Sequence, residues 1–578
     1  MKQYRVRVRE HDELVVDLLH ARGIVEKHDQ EKFLEPDFLR DSHDPFLLPD
    51  MERAVERVIA AQKNNEKVCV WSDYDCDGIP GGVMLSQFLR GIGLTVVHYI
   101  PHRHKEGYGL NEEGIDEVIS QGVTLFITID LGTTEHEAIA FAKQKGIDVI
   151  VTDHHEVLAS SYATSDPIAS YTGGSVSSAA HDSAFSLPPA FAVLNPKRPD
   201  SKYPFDGLCG AGVAWKLVQG ILARNRFGMA EGQEKWLLDL VGIATLSDMV
   251  PLVNENRMLA HFGLRVLRRN RRAGLSSLLS LLRINPKTLT EDDIGFMVAP
   301  RINAASRMDK PSTAARLLSS ENAEEAGGLA RELNHINDER KGVVASIVKD
   351  ANHRLKENPI EGPVLVMGSP KWRPGVLGLV ANKLMEVHQK PVFLWGREGG
   401  ETIKGSCRSG GGVSVVDLMA AAGNVFEQFG GHHASGGFTV VEARVHELSG
   451  RLTAAYETIQ ASAAAAADTV IERELALSEV PFASRSLLRL APFGTGFEKP
   501  LFIFPRVSVS SMRSFGKTGD HLEIMIGDGF DAPISAVSFF ATPDSFSKPL
   551  TQGSRADIVG HVELDWRGRP RVRIVDVL

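Results

Sequence analysis

The chain has 578 residues, 43% hydrophobic and 24% charged, with a formal net charge of −9; this is the composition of an ordinary globular protein, too long for one core, so three or four domains are expected. No apolar run reaches the length of a membrane span, and the opening MKQYRVRVREHDE is too charged for a secretory signal. The acidic balance argues against a surface coated in basic residues but leaves room for a local basic groove, and the four cysteines (Cys69, Cys76, Cys209, Cys407) lack CxxC spacing, so reduced thiols and a cytoplasmic location are expected.

Lys67–Trp71 is a short apolar run, followed by a turn at Asp73–Gly78 and a helical pattern from Val83 to Leu89. Leu94–Ile100 is a second strand candidate. Leu125–Asp130, a helix over about 134–145 and Asp148–Thr152 repeat the strand–helix–strand order. Buried strands alternating with helices predict a doubly wound parallel sheet, in which ligands bind beyond the carboxyl ends of the strands. Residues 159–187, rich in Ser, Ala, Thr and Gly, read as an insertion loop. From 208 to 358 the pattern is mainly helical, with a long polar helix over 322–357. A second α/β unit begins at Pro363–Met367 and includes Pro391–Trp395. Short alternating segments at His521–Ile526, Asp557–Leu564 and Arg571–Val577 fit an antiparallel barrel of the OB type.

Each acidic cluster falls at a strand's carboxyl end: Asp73, Asp75 and Asp77 after the first, Asp130 after LFITID, and Asp153-His154-His155 after DVIVT. Asp75, Asp77, Asp130, His154 and Asp248 are oxygen and imidazole ligands suited to Mn²⁺ or Mg²⁺. A lone DxD is usually a turn or cap, and a lone His pair is usually structural. Clusters at successive strand ends point instead to a shared pocket. There a carboxylate from a central strand, Asp130, could bridge two ions and support in-line displacement at phosphorus.

DYDCDG, ITIDLG, VTDHH and ATLSDMVPL, in this order, resemble the four signatures of the DHH phosphoesterase superfamily. The likeness continues through IPHRHKEGYGL, APRINAASRMDK, WRPGVLGLVANKL, KGSCRS, FGGHHASGGFT and PFGTGFEKPLF, and follows the bacterial RecJ layout from about residue 45 to 578. The resemblance implies an N-terminal segment (1–44), a DHH catalytic domain (45–320), a connecting helix (321–358), a DHHA1 domain (359–457), a linker (458–470) and an OB-like domain (471–578). It implies one ion on Asp75 and Asp130 and another on Asp77, Asp130, His154 and Asp248. Asp73 and Asp153 would orient ligands, and His155 would meet the scissile phosphate.

APRINAASR offers Arg301, Asn303 and Arg307; KGSCRSGGG offers Lys404, Ser406, Arg408 and Ser409; FGGHHASGG offers Gly431 and His432. In RecJ-like proteins the KGSCRS segment grips DNA near its 5′ end, which implies Arg408, with Arg301 or Arg307, as reader of a terminal 5′ phosphate. The alternative, that these arginines brace an interface, stays open. RVLRRNRRAG (Arg265–Gly274) reads equally as a solvated helix face or a backbone contact, and Arg513, Lys517 and Trp566 are groove candidates in the OB-like part.

Four departures stand out: Ile79-Pro80-Gly81-Gly82 where Thr or Ser is common, Leu131 for Cys or Asn, Arg373 for His, and Phe497 for Asn. The activity implied is 5′→3′ hydrolysis of single-stranded DNA to 5′-mononucleotides in repair and recombination, by a monomer. A single-strand-binding protein and a helicase are candidate partners, and no membrane is involved. The competing readings are a DHH/DHHA1 phosphodiesterase for short oligonucleotides or cyclic dinucleotides, which generally lacks the barrel, and a non-catalytic replication scaffold, whose acidic ligands would be eroded.

Overall fold

Lys67–Ser72, Thr95–Tyr99, Val123–Ile129, Asp148–Thr152 and Ala192–Leu194 form a five-stranded, wholly parallel sheet in a computed structural model. The structure describes residues 3–102, 109–157, 185–308, 310–397, 402–410, 412–460, 469–516, 519–529 and 532–578. Most of the 159–187 insertion, part of the 458–470 linker, part of IPHRHKEGYGL, and Lys517 therefore lie outside the described residues. The chain divides into two units. One is built from residues 43–250 and 262–465, the other from residues 1–42, 251–261 and 466–578.

In the first unit the strand order is Thr95–Tyr99, Lys67–Ser72, Val123–Ile129, Asp148–Thr152, Ala192–Leu194. Val68, Val70, Phe126 and Ile127 are wholly buried although they point to opposite faces, which is why these strands read as continuous apolar runs. Helices Glu112–Ser120 and His136–Gln144 cover the face bearing Cys69, Trp71 and Phe126. Gly78–Gly91 and Gly210–Arg224 pack on the other face, where a Cβ at Gly81 would lie 2.8 Å from Ile129 and 2.9 Å from Ala211. A Cβ at Gly82 would meet the His98 ring at 2.4 Å and the Ser72 hydroxyl at 2.8 Å. The Gly81-Gly82 departure thus lets this helix seat closely on its sheet, with Pro80 tolerated in the first turn.

The same unit holds the 35-residue helix Ala323–Glu357, capped by Asn322, whose side chain accepts the N–H groups of Glu324 and Glu325. It also holds a second sheet, ordered Phe426–His432, Ser435–Val440, Ile403–Arg408, Val392–Gly396, Leu365–Ser369. Only the last two strands run parallel, so this α/β part has a mixed sheet.

In the second unit Phe502–Phe515, His521–Gly527, Ile534–Phe539, Pro570–Val577 and Arg555–Leu564 pair in that order, and the last returns to the first to close a barrel. Closure leaves these five strands without a free edge. Leu14, Val15, Leu18, Leu19 and Phe33 share a core with Phe502, Phe504 and Ile524, and Tyr4–Val6 pairs with Thr469–Ile471. The four cysteines are free and buried. Among the described residues no helix is long and apolar enough to cross a membrane.

Candidate active site

The parallel sheet delivers its acidic residues to one end. Asp73 follows its strand with its N–H bonded to the Ile129 carbonyl at 3.1 Å, and Asp130 follows with its N–H on the Thr152 carbonyl at 2.9 Å. Asp130 has φ +63°, a left-handed conformation that aspartate tolerates better than most residues and that turns the chain sharply at the strand end. Asp75 Oδ1 accepts the N–H groups of Asp77 at 2.8 Å and Gly78 at 3.2 Å, which folds the DYDCDG turn on itself. Gly78 is required there because a Cβ would lie 2.4 Å from the Asp73 carbonyl oxygen.

Three overlapping groups have their ligand atoms within 4.8 Å of one another: Asp73, Asp75 and Asp130; Asp77, His154 and Asp248; and Asp130, His154 and His155. His154 Nε2 lies 3.1 Å from Asp130 Oδ1, 3.6 Å from Asp248 Oδ2 and 3.9 Å from Asp77 Oδ2. Asp130 belongs to two groups and joins them. Asp73, expected only to orient ligands, here brings its carboxylate into the same group as Asp75 and Asp130.

Burial and mutual repulsion set the charge state. Burial, then Asp75, lifts Asp77 to about 7. Burial, then Asp77 and Asp75, raises both Asp130 and Asp248 well above the carboxylate range. Burial holds His154 near 3, hence neutral and able to ligate. Carboxylates this close ionise together only when a cation lies among them, and Asp248 Oδ2 is buried with no hydrogen bond. Oxygen-rich ligands with one imidazole fit a pair of Mn²⁺ or Mg²⁺ ions.

His155 is set apart from that group. Its Nδ1 bonds Asp153 Oδ1 at 2.7 Å and lies 4.0 Å from Asp130. Burial works against its charge, yet Asp153 raises it to about 9. Asp153, in turn, is lowered despite its burial by the charge and hydrogen bond of His155. Its oxygens also accept N–H groups from His154 at 2.7 Å, His155 at 3.2 Å and Thr133 at 2.9 Å.

Several positioning groups escaped the sequence reading. The backbone N–H groups of Gly210 and Ala211, at the start of helix Gly210–Arg224, donate to the two oxygens of Asp77 at 2.6 and 2.8 Å. The positive end of that helix thus faces a carboxylate. Asn195 Nδ2 bridges Thr133 Oγ1 at 2.9 Å and the His155 carbonyl at 2.8 Å. Ser247 Oγ donates to the Ile243 carbonyl at 2.7 Å and lies 3.1 Å from that of Cys76, beside Asp248. The glycine opening GAGVAWKL was the one signal available for the first of these.

Family models match three stretches: the DHH family N-terminal domain over residues 67–245, the DHHA1 domain over 361–462 and the RecJ OB domain over 471–575. The single-stranded-DNA-specific exonuclease RecJ of Bacillus subtilis is 30% identical over 565 residues, covering 97% of this chain and 67% of the relative. That of Escherichia coli K12 is 30% identical over 475 residues, covering 79% and 78%. The chain belongs to the RecJ family. Among solved structures, Thermus thermophilus RecJ in complex with Mn²⁺ superposes with a TM-score of 0.77 at 25% identity, covering all of this chain and 79% of that one. An exonuclease RecJ bound to manganese gives a TM-score of 0.57 at 30% identity, covering 70% and 94%.

The remaining RecJ-like positions divide by environment. Arg301 is buried and spends its donors inside the protein, on Asn334 Oδ1 at 3.0 Å and the Met297 carbonyl at 2.6 Å. Arg307 reaches the Gly375 carbonyl at 3.0 Å. Both thus bond acceptors within their own unit. Asn303 Oδ1 is buried with no hydrogen bond. Arg408 donates to the Cys407 carbonyl at 2.7 Å and lies beside Gly378, where a Cβ would be 2.8 Å from its Nη2. The Ser409 N–H bonds the Ala434 carbonyl at 2.9 Å; Ser406 lies on the strand Ile403–Arg408, and Gly431 and His432 on Phe426–His432. Partial burial, then the charges of His155 and Lys197, lowers the pKa of His432.

The arginine run is not one surface. Arg272 pairs with Asp239 at 2.9 Å and with Gln87 at 3.0 Å, whereas Arg271 stacks on Trp236 at 4.2 Å. In the barrel unit Arg513 pairs with Glu523, while Trp566 and Phe540 are each 81% exposed. Two departures from the RecJ pattern are core residues. Leu131 packs with Trp71 and Phe126. Phe497 lies against Phe33 at 4.5 Å, with Arg22 over its ring at 4.9 Å. Arg373 immediately precedes the turn Pro374–Val376, and nothing in the structure explains its replacing a histidine.

Proposed function

We propose that this chain is a divalent-metal-dependent 5′→3′ exonuclease that hydrolyses single-stranded DNA to 5′-mononucleotides. The observation that carries this reading is the convergence of Asp73, Asp75, Asp77, Asp130, His154 and Asp248 at one end of the parallel sheet. Asp75 and Asp130, with Asp73 beside them, would hold one ion, and Asp77, Asp130, His154 and Asp248 the other. Two such ions supply Lewis acidity and a hydroxide nucleophile at neutral pH.

The protein's own groups do the rest. Asp153 keeps His155 protonated and aimed, so that its Nε2–H donates to a phosphate oxygen or a leaving group. The helix start at Gly210-Ala211 fixes Asp77. Asn195 and Thr133 fix the Asp153–His155 turn from behind. Arg408 and its neighbours Ser406 and Ser409, with Gly431 and His432 on a strand of the same sheet, are the proposed seat of the terminal 5′ phosphate. Exposed aromatic rings on the barrel, Phe540 and Trp566, supply stacking faces for unpaired bases.

Purified chain with Mn²⁺ and end-labelled single strands, duplex, dinucleotide and cyclic dinucleotide tests the reading. The expected result is mononucleotide release from the 5′ end of the single strand. Preferential cleavage of the dinucleotides would overturn it in favour of a small-substrate phosphodiesterase. Asp130→Ala, which removes the carboxylate common to both ion sites, should abolish hydrolysis in a protein that still folds.

A further inference from the structure

A second group of metal-ligating side chains lies in the unit that contains the barrel, on residues that the exonuclease reading leaves unused. His11 Nε2 and His20 Nδ1 face each other at 2.8 Å, with ring centroids 3.9 Å apart and planes at 65°. A carboxylate oxygen of Glu10 completes a triangle whose three atoms lie within 4.8 Å of one another. We propose that Glu10, His11 and His20 form a binding site for one zinc-class divalent ion, which pins the segment around residues 7–12 to the helix Leu14–His20.

Two imidazole nitrogens aimed at one point can be reconciled by a shared proton or by a cation. With a proton, one lone pair accepts a single hydrogen bond. With a cation, both lone pairs coordinate and the Glu10 charge is also used. Ligand atoms on a tetrahedral zinc stand about 3.3 Å apart at bond lengths of about 2.0–2.2 Å. The two rings would therefore separate by about half an ångström, a small side-chain rotation, and solvent would fill the fourth position. Two imidazoles and one carboxylate select Zn²⁺, Co²⁺ or Ni²⁺ over Mg²⁺ and Mn²⁺, which favour oxygen. The ligand set therefore differs in kind from the aspartate-rich centre.

The loop is also built to present these side chains. Asp17, wholly buried, accepts the N–H groups of Glu10 at 2.9 Å and His11 at 3.1 Å through one oxygen and Arg7 at 2.6 Å through the other. Arg9 holds the His11 carbonyl at 2.9 Å. Arg7 also reaches Glu472 at 3.3 Å, beside the pairing of Tyr4–Val6 with Thr469–Ile471. An ion on His11 and His20 would close the remaining side of this loop. It would displace the hydrogen shared by the two rings.

The test uses full-length protein in excess Mg²⁺, titrated with Co²⁺ and followed by its visible absorption, which is strong for four-coordinate and weak for octahedral cobalt. One Co²⁺ per chain with a four-coordinate spectrum is expected. Affinity should fall at least tenfold in His11→Ala and His20→Gln and several-fold in Glu10→Gln, a change on an exposed side chain that leaves the fold intact. Mg²⁺-supported DNA hydrolysis should be unchanged in all three. Equal Co²⁺ affinity and an unaltered spectrum in the variants, or no four-coordinate spectrum in the parent, would overturn the proposal.

Discussion

Gly210→Ala should cripple catalysis while leaving DNA binding largely intact. Alanine is the better helix former, and at the first position of Gly210–Arg224 propensity alone would favour it by roughly 0.5–1 kcal/mol. Space decides otherwise. The added Cβ would lie 2.5 Å from Asp130 Cβ and 2.7 Å from Asp130 Cα. Carbon atoms rest about 3.5–4.0 Å apart, so one partner must move by about 1 Å. Overpacking of this kind costs about 1–3 kcal/mol, which outweighs the propensity gain. Either movement is harmful, because Asp130 belongs to two ligand groups and the Gly210 N–H holds Asp77. A misplacement of about 1 Å in a catalytic constellation costs on the order of 100-fold in rate. The control is Gly212→Ala on the same helix, whose Cβ would make only ordinary contacts at 3.5 Å or more. Single-turnover hydrolysis of 5′-labelled single strands with saturating Mn²⁺ measures both. Gly210→Ala within threefold of the parent, or Gly212→Ala equally slow, would refute the reasoning.

Asp153→Asn removes the charge that raises His155, whose protonated form persists below about 9 and is lost as the pH climbs through that value. The alkaline limb of the pH–rate profile should shift downward, with a loss of about tenfold at pH 8 and little change near pH 6; with the His155 side chain 38% exposed, screening keeps the loss below the full shift. A limb that stays in place would count against His155 as the proton donor. Arg257 is buried and donates to the carbonyls of Phe33, Leu490 and Pro492 at 2.8, 2.9 and 3.2 Å. Arg257→Met leaves those acceptors unpaired and should cost about 3 kcal/mol or more. Thermal unfolding would read this as a lowered Tm, and an unchanged Tm would contradict it. Phe540→Ala and Trp566→Ala should weaken single-strand binding by about 1–3 kcal/mol each, measured by fluorescence anisotropy, without slowing dinucleotide hydrolysis. Unchanged affinity in both would remove the barrel's aromatic rings from the DNA path.

The parallel sheet and the gathering of acidic residues at its end were legible because period and position agree. Lys67–Trp71, Leu125–Ile129 and Asp148–Thr152 are apolar on both faces, and each is followed within two residues by an aspartate. The division of labour between the adjacent histidines came from resemblance, and only geometry separates them: His154 Nε2 turns toward Asp130, Asp248 and Asp77, while His155 Nδ1 turns back to Asp153. What sequence hid were groups that act through their backbone or at a distance. Gly210 and Ala211 carry no side-chain functional group, yet they bind Asp77 across 133 and 134 residues. Asn195 gives no pattern of its own and reaches Thr133 across 62. A motif shows the charge of Arg301 and Arg307 but not the acceptors on Asn334, Met297 and Gly375 that the two side chains meet.

The make-up of the second unit was hidden for a related reason, and it changes how the barrel must be tested. By sequence the OB-like domain begins at 471. In the structure Leu14, Val15, Leu18, Leu19 and Phe33 bury their side chains in the same core as Phe502 and Ile524. Arg257, from a segment the sequence assigned to the catalytic domain, stacks 3.4 Å over Phe33 and 5.4 Å from the Phe497 ring. Contacts between residues hundreds of positions apart leave no local periodicity. Truncation before 471 would strip partners from at least five buried apolar side chains, each contributing about 1.5–3 kcal/mol when buried. The truncated protein should unfold or aggregate, and any loss of DNA affinity would then report misfolding. Point changes at exposed rings, which leave that core untouched, are the perturbation that isolates strand binding.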